Sequence, residues 1–290
     1  MPAPNFQEYY SDYAKVASNS AALSVIAYQH SPCYLIPRVH SGSARLQRKD
    51  TYYHLLSDST PTAGVIPFDI PNPKVYLQTL IETIHTIGGV TNVPHSYAMA
   101  LTKMGYKAAK RPWGNQDFVF ETSLLNTLPG KRHSRVRTYI NKLKRDGVHV
   151  RELGSGDREV VKDMCHYWHT HHSGRTGRMN YATDFVTFMD AYPESMRVKC
   201  IGLFDKADQI IGVAIAALLT DYSWSCSFRY ANNSWPSASM MLFHEISKHY
   251  TDLPYEVDGD AGGADLYEFK RRLLTDPVLD KQIFMYTVKR

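Results

Sequence analysis

The chain has 290 residues with a formal net charge of +5, and its 43% apolar and 12% aromatic content is enough for a substantial core, which excludes a disordered chain. The length suits one large domain or two of about 120 to 160 residues, and two is the expectation. The longest apolar runs, such as 210–219, are too short to cross a bilayer, and the amino terminus lacks a basic-then-apolar secretion pattern, so the expected location is the cytoplasm.

Apolar spacing predicts a helix over Phe6 to Ala17, then two short β-branched or aromatic runs, Ala22 to Tyr28 and Cys33 to Ile36, that read as strands. Ser41-Gly-Ser and Asp58 to Gly64 are polar turn clusters. Pro67, Pro71 and Pro73 give an extended lead into a helix from Val75 to Ile87, with Leu77, Leu80, Ile81 and Ile84 facing inward. Val90 to Val93 reads as a strand, Ser96 to Met104 as a helix closed by Gly105, and Asp117 to Glu121 as another strand.

The stretch from Leu128 to Gly147 reads as an amphipathic helix with more positive charge than a helix requires. Val136, Ile140 and Leu143 recur at i, i+4 and i+7 with Tyr139 at the edge of the stripe, while Lys131, Arg135, Lys142 and Arg145 project from the other faces. Gly147 supplies a left-handed stop. Cations at the carboxyl end suit the helix dipole, but Lys131 and Arg132 fall in the expected first turn, where a carboxylate would be preferred. That conflict points to a phosphate site, of coenzyme A or of RNA; an ordinary solvated basic face is the other reading.

Val148 to Val150 reads as a strand, Asp157 to His169 as a helix, Ser173 to Gly177 as a loop and Thr183 to Tyr192 as a helix. Three strands follow, Val198 to Phe204, Ile210 to Leu219 and Tyr222 to Tyr230, joined by the turns Lys206 to Gln209 and Thr220-Asp221. A long helix from Ser237 to Tyr250, with Met241, Leu242 and Ile246 on the sheet, leads to the strand Tyr255 to Val257 and the loop Asp258-Gly-Asp-Ala-Gly-Gly263. Leu266 to Leu274 is a short helix and Gln282 to Val288 a closing strand.

Helices first, an antiparallel meander, a helix, a strand continuing the sheet, then a final helix and strand: this order resembles the GNAT acyltransferase fold, and the first half carries a blurred version of it. The expected architecture is therefore α/β, of the layered α+β kind, with two GNAT-like lobes in tandem whose mixed, mostly antiparallel sheets are flanked by helices. The expected lobes are residues 1–127 and residues 128–290, the second beginning with the basic helix.

Three segments add to this likeness: Tyr97 to Tyr106 with Asn115 to Phe120; Leu128-Pro-Gly-Lys-Arg-His-Ser-Arg-Val-Arg-Thr-Tyr-Ile-Asn141; and Asp258-Gly-Asp-Ala-Gly-Gly-Ala-Asp-Leu-Tyr-Glu-Phe-Lys270. Together they resemble the tandem GNAT-like aminoacyl-tRNA-dependent transferases, meaning the carboxy-terminal domain of lysylphosphatidylglycerol synthetases, its stand-alone relatives and, more distantly, the Fem peptidyltransferases. The resemblance spans about residues 90–290. It implies transfer of an amino acid from aminoacyl-tRNA to an amine or hydroxyl acceptor, a small molecule, lipid or peptide, with tRNA as partner and no further cofactor. Acyl-coenzyme-A users of the same fold carry a glycine-rich loop between the central strand and its helix, whereas Tyr230 to Ser239 has no glycine and includes Pro236. An acyl-CoA-dependent N-acyltransferase is the alternative, and a non-catalytic RNA- or membrane-binding module a further one.

Transfer to an amine requires an unprotonated nucleophile and a stabilised oxyanion. Asp258 and Asp260, at the end of a strand, are the candidate bases, with His244, Asp265 and Glu268 behind them; turn and capping roles are the alternative for the aspartates. Lys131, Arg132, Arg135, Lys142, Lys270 and Arg271 are the candidate phosphate contacts, with Arg175 as a clamp on an anionic group and Trp235 as a stacking residue. Cys33, Cys165, Cys200 and Cys226 are far apart with no C-x-x-C pair, and His166 and His169, at i and i+3, lack a nearby carboxylate or cysteine, so neither disulfides nor a metal site is expected.

Overall fold

A computed structural model describes residues 6–17, 32–40, 42, 44–49, 52–56, 61–67, 72–109, 116–171, 192–258, 270 and 282–290. The chain divides into two compact units. One comprises Met1–Val119, Gly259–Arg272 and Asp280–Arg290; the other comprises Phe120–Asp258 and Leu273–Leu279. The architecture is mixed α/β, with two mostly antiparallel sheets flanked by helices.

The first unit contains α1 (Phe6–Ala17), α2 (Pro32–His40), β1 (Arg45–Arg48), β2 (Tyr52–Leu56), β3 (Ala63–Pro67), α3 (Pro73–Ile87), β4 (Gly89–Pro94), α4 (His95–Lys103), β5 (Lys107–Ala109), most of β6 (Gln116–Glu121) and β12 (Gln282–Lys289). Its strands run in the order β1-β2-β3-β4-β12-β6, with β5 also on β12. All of these pairings are antiparallel except β3 with β4, where Ala63 faces Val90. A parallel step needs a crossover, and α3 supplies it. Asn72 caps this helix by accepting the Lys74 amide, Pro73 occupies its first position, and Gly88 closes it at φ 104°.

The second unit contains α5 (Thr122–Thr127), α6 (Ser134–Arg145), β7 (His149–Glu152), α7 (Arg158–His171), β8 (Lys199–Phe204), β9 (Ile210–Thr220), β10 (Ser223–Ala231), α8 (Ala238–Ser247) and β11 (Tyr255–Asp258). The order is β11-β10-β9-β8-β7; the meander from β7 to β10 is antiparallel, and β11 joins β10 in parallel through the α8 crossover. Each unit thus repeats one device, an antiparallel meander followed by a helix and a parallel strand. β9 is buried along nearly its whole length because α7 and α8 pack against it, so it reads as a continuous apolar run rather than an alternation.

Several sequence expectations change. Cys33 to Ile36 belongs to α2 rather than to a strand, since a four-residue apolar run carries no period and Pro32 is well suited to a helix start. β1, β2 and β3 were not expected, and the predicted turn cluster ends in strand, with Ala63 and Gly64 in β3. β2 hides its period because Tyr53, His54 and Leu55 are all buried. The buried face of α3 is Tyr76, Thr79, Leu80, Thr83 and Ile84; Leu77 and Ile81 are only partly covered. The strand expected at Ala22 to Tyr28, the helix expected at Thr183 to Tyr192 and most of that at Leu266 to Leu274 lie outside the described residues. No helix among the described residues is long and apolar enough to cross a membrane.

His54 lies buried on β2 with Nε2 3.0 Å from Thr83 Oγ1. Burial first, and the charge of Lys49 second, push its imidazole pKa down to about 4. The unfolded chain takes up this proton below about pH 6.5 while the folded chain stays neutral, so stability is lost as pH falls through that window. Between about pH 6.5 and about pH 4 the wild-type protein should lose about 2 to 3 kcal/mol more unfolding free energy than a His54→Phe variant. Urea titrations at each pH measure this; parallel pH profiles would remove His54 as the source.

Candidate active site

The second unit opens a fork where β11 leaves β10. The two strands are in register only at Ser223 with Tyr255 and Trp224 with Glu256. The lower end of the fork is fixed by Trp224, fully buried, which stacks on Tyr250 at 4.8 Å and donates from Nε1 to Thr122 Oγ1 at 3.0 Å. Above it, the Cys226 amide donates to Glu256 Oε1 at 3.1 Å, so a side-chain oxygen takes the place a strand carbonyl would occupy. On its other side β10 bulges: Cys226 faces Ala216 and Phe228 faces Ile215, leaving Ser227 as the extra residue.

One step further, Arg229 joins the strand to the crossover helix. Its Nε donates to Ser239 Oγ at 3.1 Å, its guanidinium lies 4.1 Å from the centre of the Phe243 ring, and an η nitrogen is 3.6 Å from Asp258 Oδ2. Asp258 is 7% exposed, so this carboxyl is a buried group at the fork rather than a solvated turn residue. Neither Arg229 nor Glu256 was an expected site residue, and Ser239 was expected only as part of the loop after β10. Their signal was present, since an arginine within an aromatic run and a glutamate between Tyr255 and Val257 are charges on strands that tertiary packing must bury.

His244 lies on the last turn of α8, whereas the Arg229–Asp258 pair meets the first. Its Nδ1 bonds to the Leu125 carbonyl at 2.8 Å and Nε2 is 3.9 Å from Glu245. Burial is the largest influence and lowers its pKa, against the Leu125 bond, which raises it. The ring therefore serves as a tie to α5. Cys165, Cys200 and Cys226 are buried; burial pushes the Cys165 thiol up to about 12 and Cys200 in the same direction, so neither of these two is an activated nucleophile.

After β10, the loop from Asn232 to Ser237 turns several of its amides inward. Ser234 N–H donates to Asn232 Oδ1, Trp235 N–H to the Asn232 carbonyl and Ala238 N–H to the Trp235 carbonyl; Pro236 has no donor. Asn232 Oδ1 also accepts from Tyr167 at 3.0 Å, and Ser237 enters α8 at φ 70° without capping it through its side chain. Trp235 is half-buried in this loop.

The cations of the basic helix divide by role. α6 begins at Ser134, so Lys131 and Arg132 lie exposed in the preceding turn and not in the first helical turn. Arg137 donates to the Leu128 and Gly130 carbonyls, where φ values of 46° and 71° turn the backbone away from helix. Lys144 is 2.8 Å from Glu245; burial alone would raise that carboxyl, but Lys144 and Lys248 outweigh it and hold it low. Arg135, Tyr139 and Lys142, at i, i+4 and i+7, form one flank, with Arg135 5.5 Å above the Tyr139 ring. Arg135 and Lys142 are exposed, and neither forms an ion pair among the described residues.

Lys270 is 3% exposed and its ammonium lies 5.7 Å from the Phe118 ring, both within the first unit. Asp260, Asp265, Glu268, Arg271 and Arg175 lie outside the described residues. His169 packs edge-on against Trp168 and Tyr230, and among the described residues no cluster of His, Cys, Asp and Glu could hold a metal ion.

The fold is shared with solved proteins. A conserved protein of unknown function from Bacteroides thetaiotaomicron superposes with a TM-score of 0.75 at 13% identity, over 99% of this chain and 98% of the other. The C-terminal domain (DUF2156) of a protein assigned as a lysylphosphatidylglycerol synthetase from Agrobacterium fabrum gives 0.66 at 11%, over 99% and 92%. A tandem GNAT protein from the clavulanic acid biosynthesis pathway gives 0.53 at 12%, over 100% and 97%. At these identities the likeness is one of fold, the tandem GNAT-like arrangement. No protein-family model matches the sequence, and no curated protein does.

The Glu256 bond to the Cys226 amide has a direct test. Glu256→Leu removes the acceptor from a buried N–H and should cost about 1 to 3 kcal/mol, whereas Glu256→Gln keeps an oxygen in place and should cost less than about 1 kcal/mol, both read from urea unfolding. Equal losses would mean that this bond does not hold the fork.

Proposed function

We propose that the protein is an aminoacyltransferase that moves an amino acid from aminoacyl-tRNA to an amine or hydroxyl acceptor on a small molecule, lipid or peptide. The observation that carries this reading is the loop after β10. A pyrophosphate needs several backbone N–H groups aimed outward, and here Ser234, Trp235 and Ala238 direct theirs to internal acceptors while Pro236 has none. Coenzyme A therefore finds a poor cradle. A polynucleotide finds a better one on α6, where Arg135 and Lys142 project on either side of Tyr139, with Lys131 and Arg132 exposed nearby. The fold likeness to a protein assigned as a lysylphosphatidylglycerol synthetase agrees with this choice.

In this reading the acceptor's neutral nitrogen or hydroxyl oxygen attacks the ester carbonyl of the donor. The carbon–oxygen bond to the terminal ribose breaks, and the tRNA leaves with a free ribose hydroxyl. The proton released by the acceptor passes to Asp258, whose carboxylate is kept in place by Arg229, and returns to the departing ribose oxygen. In this reading the developing oxyanion takes its hydrogen bonds from backbone N–H groups near the bulge at Ser227, where the β10–β9 register shifts. The ester supplies the driving force, and no further cofactor enters.

Incubation with labelled aminoacyl-tRNAs and, separately, labelled acetyl-coenzyme A should show consumption of the aminoacyl-tRNA alone. Arg135→Gln/Lys142→Gln should weaken tRNA binding and flatten its log–log salt dependence by about 0.7 to 0.9 for each phosphate contact removed. An unchanged salt slope, or consumption of the acetyl donor instead, would overturn the assignment.

A further inference from the structure

The first unit holds a cavity of about 530 Å³ that the transfer chemistry leaves unused. Small-molecule pockets fall in the range of about 300 to 1,000 Å³. Lys49 and Tyr52 line it from the strand side, and Lys74, Val75, Gln78 and Glu82 from α3. The Lys49 amide donates to the Tyr52 carbonyl at 2.8 Å, a tight turn that sets the lysine beside the tyrosine.

Two features make this cavity positive. It is walled by the flank of α3 from the first turn onward, and that turn has no acidic residue. Lys74 stands there instead, and Lys49 comes from the opposite wall. Among the described residues, no carboxylate pairs with either ammonium group. Glu82 is bonded to Gln78 at 3.2 Å.

The same cavity is also apolar. Val75 is 53% exposed, one of the few large apolar side chains left open to solvent, and it faces the half-buried Tyr52 across the opening. Two residues along β2, on the same face as Tyr52, the ring of His54 lies 4.9 Å from the tyrosine ring. Thr83 donates its hydroxyl hydrogen to the Thr79 carbonyl at 2.8 Å, so His54 Nε2, 3.0 Å from that hydroxyl, must be the donor between them. His54 Nδ1 is then a bare acceptor, buried and without a hydrogen-bond partner.

We propose that this cavity binds a small amphiphilic anion, with its carboxylate or phosphate between Lys49 and Lys74 and its carbon chain over Tyr52 and Val75. The assignment is independent of the transfer reaction.

Calorimetric titration of the full chain tests this with octanoate, octyl phosphate, inorganic phosphate and octylammonium at low and high salt. Both octyl anions should bind, more weakly at high salt, and the tighter of the two identifies the headgroup. Lys49→Gln/Lys74→Gln and, separately, Val75→Asp should each raise the dissociation constant about tenfold or more. Arg135→Gln/Lys142→Gln should leave it unchanged, which separates this site from the proposed tRNA surface. Should the double lysine variant fail to fold, the single variants and Val75→Asp carry the test. Octylammonium binding as tightly as octanoate, inorganic phosphate binding as tightly as octyl phosphate, or lysine variants with unaltered affinity would each overturn the proposal.

Discussion

The parting of β11 from β10 after Trp224 is the constraint on which the second unit depends. Two parallel strands joined by a helix would ordinarily continue their ladder, and here it stops after two residues because Glu256 offers its own carboxyl oxygen to the Cys226 amide. Such a fork would open along its whole length if its base were weak. Trp224 prevents that by stacking almost flat on Tyr250, worth about 0.5 to 1.5 kcal/mol beyond its burial, and by holding Thr122, whose amide in turn donates to the Pro254 carbonyl just before β11.

Everything chemically distinctive in this unit sits just beyond that base. The Arg229–Asp258 pair lies on the open side, Ser239 and Phe243 bring the first half of α8 to the same place, and the bulge at Ser227 marks the same stretch of β10 on its β9 side. A buried arginine is acceptable there because its charge is shared among a hydroxyl, a carboxylate and an aromatic face. Removing water from such a pair strengthens its field. His244 belongs to a different task, since its bond to Leu125 and the Lys144–Glu245 pair tie α8 to the helices before β7.

Charge on the basic helix shows how alike residues acquire unlike roles. Arg137 and Lys144 are used internally, one to hold the turn before the helix and one to meet a nearly buried glutamate. Arg135 and Lys142 lie on a flank that nothing in the sequence separates from the rest, because a helical wheel shows directions but not what the neighbouring elements cover. Periodicity identified Ile140 and Leu143 as the inward positions, and they are buried. It could not identify Glu245, which lies a hundred residues away, as the partner of Lys144.

Local signals were enough for the elements whose determinants are local. The hairpins from Lys199 to Ala231, the Gly147 and Gly105 stops, the α3 start at Pro73 and the closing strand were legible because turn residues and apolar runs act within a few positions. The order of those elements pointed to tandem GNAT-like lobes, and the shared fold agrees. What the sequence determined by itself was therefore the succession of helices and strands from α3 onward among the described residues, and the surplus of cations in its middle. Tertiary structure decided that Cys33 to Ile36 is helical, that Lys270 is buried, that Asp258 meets Arg229, and that Glu256 interrupts a strand ladder. Each of those outcomes rests on a partner distant in the chain or on burial by another element, and neither leaves a mark on neighbouring residues.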